Sequence, residues 1–507
     1  MFVAMLFVEP LFIFVFLPLV LLAERLTRGT KPEYRLFVIT ASGALFYAAW
    51  SWMYLLLLLA AIGCNHRVSL HIYRDVVTGR KARARRILVA AVGGNLLLLG
   101  IFKYADFFLE NVATGMALNL ILPLAISFYT FQQIAFVVDT YRQTVRPPSL
   151  LTYASYVLFF PQLIAGPIVN YRDVRFSLAR FALSRSALRY DLALLYFVIG
   201  LGKKLLIADP LGDFLAQQQL VMSVGETTPL LSLLTMLAYG LQLYFDFSAY
   251  GDMALGLGFA FGIRLPINFD APYKSTNIAM FWRHWHITLG RFLRDYLYIP
   301  LGGSRAGTRR TLLNLNIVML LGGLWHGAAW GYVLWGALHG LALTIHQLFI
   351  RSTCWIRRHG TFQVFPASPW VNQVTNAMAI AITVSFVFLA WVPFYTESID
   401  NAVMIWRSMA AYQGSIVDNA TALHAQYGIE IGDVLIDIVV GLTLVFFMPT
   451  SHSLVERIVT RWQTLSGSRI QRGLAHPVMA VVYVPAIMVF AKNLLAGPVA
   501  AFLYFQF

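Results

Sequence analysis

From Thr311 to Ile350 the chain contains no Asp, Glu, Lys or Arg. The segment before it, Phe281–Arg310, carries Arg283, Arg291, Arg294, Arg305, Arg309 and Arg310 against one acid, Asp295. A helix crosses the hydrocarbon core of a bilayer with about 20 apolar residues, so this run is long enough to cross and return. Chains that enter lipid satisfy their backbone as helices or as closed barrels. A barrel would show short alternating segments, and this chain shows long apolar runs instead. The composition agrees: 59% of residues are hydrophobic and 12% charged, where soluble domains carry about a quarter charged. The fold class is an all-α polytopic membrane protein.

The formal charge of +15 does not imply a nucleic-acid partner. The positive residues cluster between apolar runs, as they do in cytoplasmic loops, and no soluble basic domain exists to bind nucleic acid. The surrounding partner is membrane lipid. Cys64 and Cys354 offer neither a disulfide framework nor metal-ligand spacing, so no metal is expected.

Candidate crossings are Phe2–Ala23, Leu36–Cys64, Ile87–Leu109, Gly115–Val138, Asp191–Ala208, Pro229–Gly251, Leu312–Ile350, Val374–Tyr395, Val434–Phe447 and Pro477–Phe507. Met1–Ala23 lacks a basic start and reads as a retained helix rather than a signal peptide. Basic residues flank Leu36–Cys64 and Leu312–Ile350 at both ends, so each is expected to be a hairpin. The first would turn near Trp50-Ser51-Trp52 and the second near Gly327–Gly331. Leu150–Val169 also lies between basic flanks and is broken by Pro161, Gly166 and Pro167, which predicts a re-entrant element covered by other protein. The acid-bearing segments Gly212–Thr228 and Glu397–Asp433 read as outer loops. Roughly eleven to thirteen membrane segments result, in a single domain over residues 1–507.

An ionisable residue at membrane depth is a functional candidate by default. On a helix starting at Leu312, His326 sits about 20 Å along it. Burial there disfavours the imidazolium, leaving the neutral imidazole that a general base requires; a core histidine bonded between helices is the competing reading. Arg283, Arg291 and Arg294 suit phosphate oxygens or anionic lipid headgroups. His284 and His286 point to different faces of a helix and make a poor chelate. His339 and His346 read as packing residues on one face of the return helix. Tyr244–Ser248, with Gln132, Gln133, Lys203, Lys204 and Asp252, suggest either a wet interior or an interhelical hydrogen-bond network.

Several strings resemble the membrane-bound O-acyltransferase (MBOAT) superfamily: Phe281-Trp-Arg-His-Trp-His286, Arg294-Asp-Tyr-Leu-Tyr-Ile-Pro-Leu-Gly-Gly303 and Leu324-Trp-His-Gly327. Ile126–Gln133, Phe159–Pro167, Gly202–Lys204, Leu243–Gly251 and Tyr504–Phe507 extend the likeness over nearly the whole chain, most similar to the membrane subunits of bacterial alginate O-acetyltransferases. His284 stands where the superfamily's first motif usually has a second Arg. The resemblance implies an MBOAT-like helical fold with re-entrant elements in a bacterial inner membrane. It implies an acetyltransferase that takes acetyl from cytoplasmic acetyl-CoA, a substrate rather than a permanently bound cofactor. A periplasmic acetyltransferase or other polysaccharide-modification protein would be its partner, and alginate, cellulose or peptidoglycan the final polymer. His326 would be the catalytic base, His286 an oxyanion donor, and Arg283, Arg291 and Arg294 the holders of the coenzyme's phosphates. A transporter or channel, and a haem protein with two histidine ligands, are the readings from other classes.

Overall fold

The computed structural model describes residues 5–112, 118–186, 188–223, 225–359, 368–413 and 431–465, with scattered positions in 415–425 and at 502–503. Their regular structure is all helical, without a strand among them. Among the described residues, five helices are long and apolar enough to cross a membrane: Trp52–Val77, Lys81–Val112, Pro229–Phe261, Trp330–Cys354 and Pro369–Thr396. A sixth is counted if Ile431–Phe447 and Ser451–Arg461, bent by 61°, form one span. The other apolar runs are carried by shorter or broken helices. The chain packs as two compact units.

The first unit is drawn from Met1–Gly202, Ala249–Ile267 and Val455–Gln506. It contains α1 (Leu17–Leu26), α2 (Pro32–Ala48), α3 (Trp52–Val77), α4 (Lys81–Val112) and α5 (Ile126–Tyr141). The expected break is present: α2 ends at Ala48, α3 starts at Trp52, and Ser51 caps α3 through Tyr54 N–H. Capping side chains satisfy the donors that a helix start leaves open. Polar groups pin the helices: Asn65 on α3 donates to Asn95 on α4 at 3.2 Å and to Gln133 on α5 at 2.6 Å. The segment expected to be re-entrant consists of α6 (Leu150–Val157), α7 (Phe160–Leu163) and irregular backbone to Asn170, buried from Tyr153 through Tyr171. That cover is what irregular backbone inside a membrane protein requires. α8 (Tyr171–Ala182) and α9 (Tyr190–Lys203) follow.

The crossing expected at Gly115–Val138 is corrected, because its helix begins only at Ile126. Pro123 precedes it and Ala125 takes φ 62° at the helix start, so the backbone before it cannot continue the helix. The Gly212–Thr228 loop is corrected too, since most of it is helical. Pro477–Phe507 lies almost wholly outside the described residues.

The second unit is drawn from Lys203–Ser248 and Asn268–Leu454. A π-helical turn at Lys204–Ala208 leads into α10 (Asp209–Ser223). There Lys204 is sealed from solvent and meets Asp209 and Asp246, each at 2.8 Å. A buried cation of this kind is tolerable only with such partners. Asp246 comes from α11 (Pro229–Phe261), whose residues 229–248 belong to this unit. Then come α12 (Ile278–His284), α13 (Ile287–Leu293), α14 (Thr308–His326), α15 (Trp330–His359), α16 (Pro369–Thr396) and α17 (Ile399–Ala410).

The second expected hairpin is α14–α15, which turns at residues 327–329. Its helices approach through glycine. A Cβ on Gly323 would run into the carbonyl oxygen of Tyr332, and one on Gly336 would lie 2.5 Å from that of Met319. Asn316 donates across to Thr344 at 2.8 Å. Gly323→Ala and Gly336→Ala should each cost about 1–3 kcal/mol of stability through overpacking. Gly94 on α4 has open space around it, so Gly94→Ala should be neutral or stabilising. Thermal unfolding in detergent tests the contrast.

Candidate functional site

His326 is the last residue of α14 and is 3% exposed. The faces and edges around its ring are aromatic: Trp325 at 4.9 Å between centroids, Phe394 at 5.0 Å and Trp335 at 5.3 Å. Trp335 lies on α15 and Phe394 on α16, so three helices meet at this imidazole. Trp335 and Trp391 stack at 5.6 Å, and Trp391 reaches Trp285 at 5.0 Å. Rings packed edge-to-face and offset add attraction beyond their buried area.

Glu397 holds the tip of the hairpin against α16. It ends that helix at φ 56°, a left-handed conformation uncommon outside glycine. Its carbonyl accepts the Gly331 N–H at 2.8 Å, and its carboxylate accepts the Tyr332 hydroxyl at 2.7 Å. Gly331 is required here, since a Cβ would strike the backbone at Pro393 and Glu397.

His286 sits at the corner between α12 and α13 with φ 42°. Asn268 organises the corner. Its Oδ1 accepts Thr288 N–H at 3.2 Å and Thr288 Oγ1–H at 2.9 Å, and lies 3.1 Å from His286 Nδ1. Because that oxygen is an acceptor, the imidazole proton belongs on Nδ1 and Nε2 carries the lone pair. This tautomer suits His286 to accept a proton rather than to donate to an oxyanion. His286 and His326 share one neighbour: Trp325 lies 6.2 Å from the first ring and 4.9 Å from the second.

The arginines lie on the short helices before the hairpin. Arg283 is exposed on α12, close enough to His346 on α15 to act on it electrostatically. Arg291 is half-buried on α13. Arg294 is exposed and paired with Asp295 at 2.8 Å, which offsets part of its charge. His284 is half-buried, and its backbone carbonyl accepts the Asp270 N–H at 3.1 Å. Sequence reasoning missed Asn268, Trp335, Phe394 and Glu397. Asn268, Phe394 and Glu397 act through partners distant in the chain, and no local pattern marks any of the four.

Burial pushes the His286 pKa down to about 3 from the ordinary 6.5. Between those values the unfolded chain binds a proton that the folded chain does not. The contribution to stability is therefore intact above pH 6.5 and lost as pH falls toward 3. The unfolding midpoint should drop on acidification through this window, and His286→Asn should flatten part of the slope. An unaltered slope in the variant would remove His286 as its source.

The MBOAT, membrane-bound O-acyltransferase, family profile matches residues 140–390. A peptidoglycan O-acetyltransferase of Helicobacter pylori is 39% identical over 449 residues, covering 81% of this chain and 80% of that protein. A probable alginate O-acetylase of Pseudomonas aeruginosa is 37% identical over 420 residues, covering 80% and 75%. A teichoic acid D-alanyltransferase of Streptococcus thermophilus is 28% identical over 284 residues, covering 54% and 68%. The transporter reading gives way to an enzyme. This chain is a multi-pass membrane protein that belongs to the membrane-bound O-acyltransferase family.

Proposed function

We propose that this acyltransferase moves an acetyl group from cytoplasmic acetyl-CoA across a bacterial inner membrane for O-acetylation of an alginate-like exopolysaccharide, with His326 as general base. The observation that carries the reading is a buried histidine at a helix end, walled by three aromatic rings from three helices, in a chain similar to a probable alginate O-acetylase. The acceptor hydroxyl would lose its proton to His326 as its oxygen attacks the thioester carbonyl carbon. The carbon–sulfur bond then breaks and the proton passes to the departing thiolate. Direct transfer accounts for this without a covalent intermediate on the protein. Arg283, Arg291 and Arg294 would hold the coenzyme's phosphates, and a periplasmic acetyltransferase would complete delivery to the polymer. Peptidoglycan is the second candidate polymer, favoured by the Helicobacter relative's name and its 39% identity.

His326→Ala should lower acetyl transfer by at least ~10²-fold while the protein still inserts and folds. In membrane vesicles, labelled acetyl-CoA reports the transfer. In cells, acetate should be lost from extracellular polysaccharide, or from the peptidoglycan sacculus under the second reading. Unaltered acetylation in both would sink the assignment of His326.

Replacing Arg291 and Arg294 by Gln tests the donor face. Loss of a charge-assisted bond worth about 1.5–3 kcal/mol should raise the KM for acetyl-CoA about tenfold or more. Lipid association, measured by vesicle flotation, should stay unchanged. A fall in lipid association with KM constant would make these residues membrane anchors instead.

A further inference from the structure

The acyl-transfer chemistry proposed above needs a hydrogen-bond donor for the carbonyl oxygen, and the tautomer of His286 does not supply one. Another histidine does. Trp282 donates its indole N–H to His339 Nδ1 at 3.2 Å. An indole nitrogen can only donate, so His339 Nδ1 carries a lone pair and the ring is neutral with its proton on Nε2. His339 is 0% exposed, and among the described residues its Nε2 has no hydrogen-bond partner. The indole N–H of Trp335, 1% exposed, has none either.

The rings that carry these two donors are neighbours. Trp335 and His339 are a turn apart on α15, their rings 4.9 Å between centroids, and Trp335 packs edge-to-face on His326 at 5.3 Å. Buried donors without acceptors are rare in folded proteins and call for a ligand or a water. The chemistry around them narrows the choice. Trp391 and Phe386 lie on the other sides of His339, and none of these side chains brings a positive charge to hold a permanent anion. A hydroxyl would need an acceptor as well, but His339 Nδ1 is taken by Trp282 and an indole nitrogen accepts nothing. The pair offers donors alone, which matches a neutral carbonyl oxygen.

We propose that His339 Nε2–H and Trp335 Nε1–H bind a carbonyl oxygen of the acyl donor's thioester arm beside His326. The proposal rests on the acyl-transfer reading above. If that oxygen is the thioester's own, it becomes negatively charged as the acceptor's oxygen–carbon bond forms and before the carbon–sulfur bond breaks. Fixed N–H donors at that point take up the charge without reorganising. If it is an amide oxygen further along the arm, the same donors set how far the thioester reaches toward His326.

The test uses two variants that divide the imidazole. His339→Gln places an amide N–H near the position of Nε2, whereas His339→Asn places a carbonyl near Nδ1 and keeps only the acceptor for Trp282. Acetyl transfer from labelled acetyl-CoA is measured in vesicles, with unfolding midpoints recorded for both. His339→Asn should lose about 10²-fold, His339→Gln should stay within ~10-fold of the wild type, and Trp335→Phe should fall in the same direction as Asn. A loss in kcat at constant KM assigns the bond to the thioester oxygen, and a rise in KM at constant kcat assigns it to an amide of the arm. Asn activity equal to wild type, or equal losses in Asn and Gln, overturns the proposal. Absence of transfer by the wild type would overturn the donor reading itself, and is thereby distinguished from failure of this bond alone.

Discussion

The close approach of α14 and α15 is the constraint on which the site depends. Packed helices ordinarily stand 8–10 Å apart, according to the side chains between them. Gly323 and Gly336 remove those side chains where the pair meets, and Gly340 lets Asn316 lie directly against the return helix. The closeness lets Trp335 reach the ring of His326 from the neighbouring helix. Glu397 then ties the turn to α16 through one backbone and one side-chain bond, which brings Phe394 to the same imidazole. A left-handed glutamate is an unfavourable way to end a helix, and those two bonds offset it.

The histidines of this unit are differentiated by what each ring nitrogen touches. Asn268 Oδ1 accepts the hydrogen bond from His286 Nδ1–H and leaves the lone pair of that ring on Nε2. Trp282 donates its indole N–H to Nδ1 of His339 and leaves that ring a donor at Nε2. His326 stands between them in the aromatic lattice, joined to one through Trp325 and to the other through Trp335. Neutral rings in opposite tautomers can divide proton acceptance from proton donation without burying a net charge, which an apolar interior tolerates poorly.

How much of this was legible follows from the range of the interactions. The α14–α15 hairpin and the break between α2 and α3 could be read from charge, because arginines at both ends of an apolar run cannot be reconciled with one straight crossing. The break at Pro161 and Gly166–Pro167 could be read because proline has no N–H to give a helix. The late start of α5 at Ile126 was missed because apolar residues continue upstream past Pro123, and hydropathy does not report backbone conformation. The acid-bearing stretch after Asp209 read as a loop, yet Asp209 is held by Lys204 at the start of a helix. His326 was singled out by its depth and by the Leu324-Trp-His-Gly327 string. His339 was read as packing, because its role rests on which nitrogen Trp282 occupies, 57 residues away in the chain.

By itself the sequence determined that this chain is helical, lies in lipid, breaks at Trp50–Trp52, doubles back at Gly327–Gly331, and carries a histidine deep in an uncharged run. Those properties follow from transfer free energy and backbone satisfaction, which act residue by residue along the chain. Tertiary structure decided which rings wall that histidine, which tautomer its neighbours adopt, and where donors and acceptors come together. Such properties depend on side chains from different helices meeting within hydrogen-bond distance, and no local pattern encodes a distance between helices.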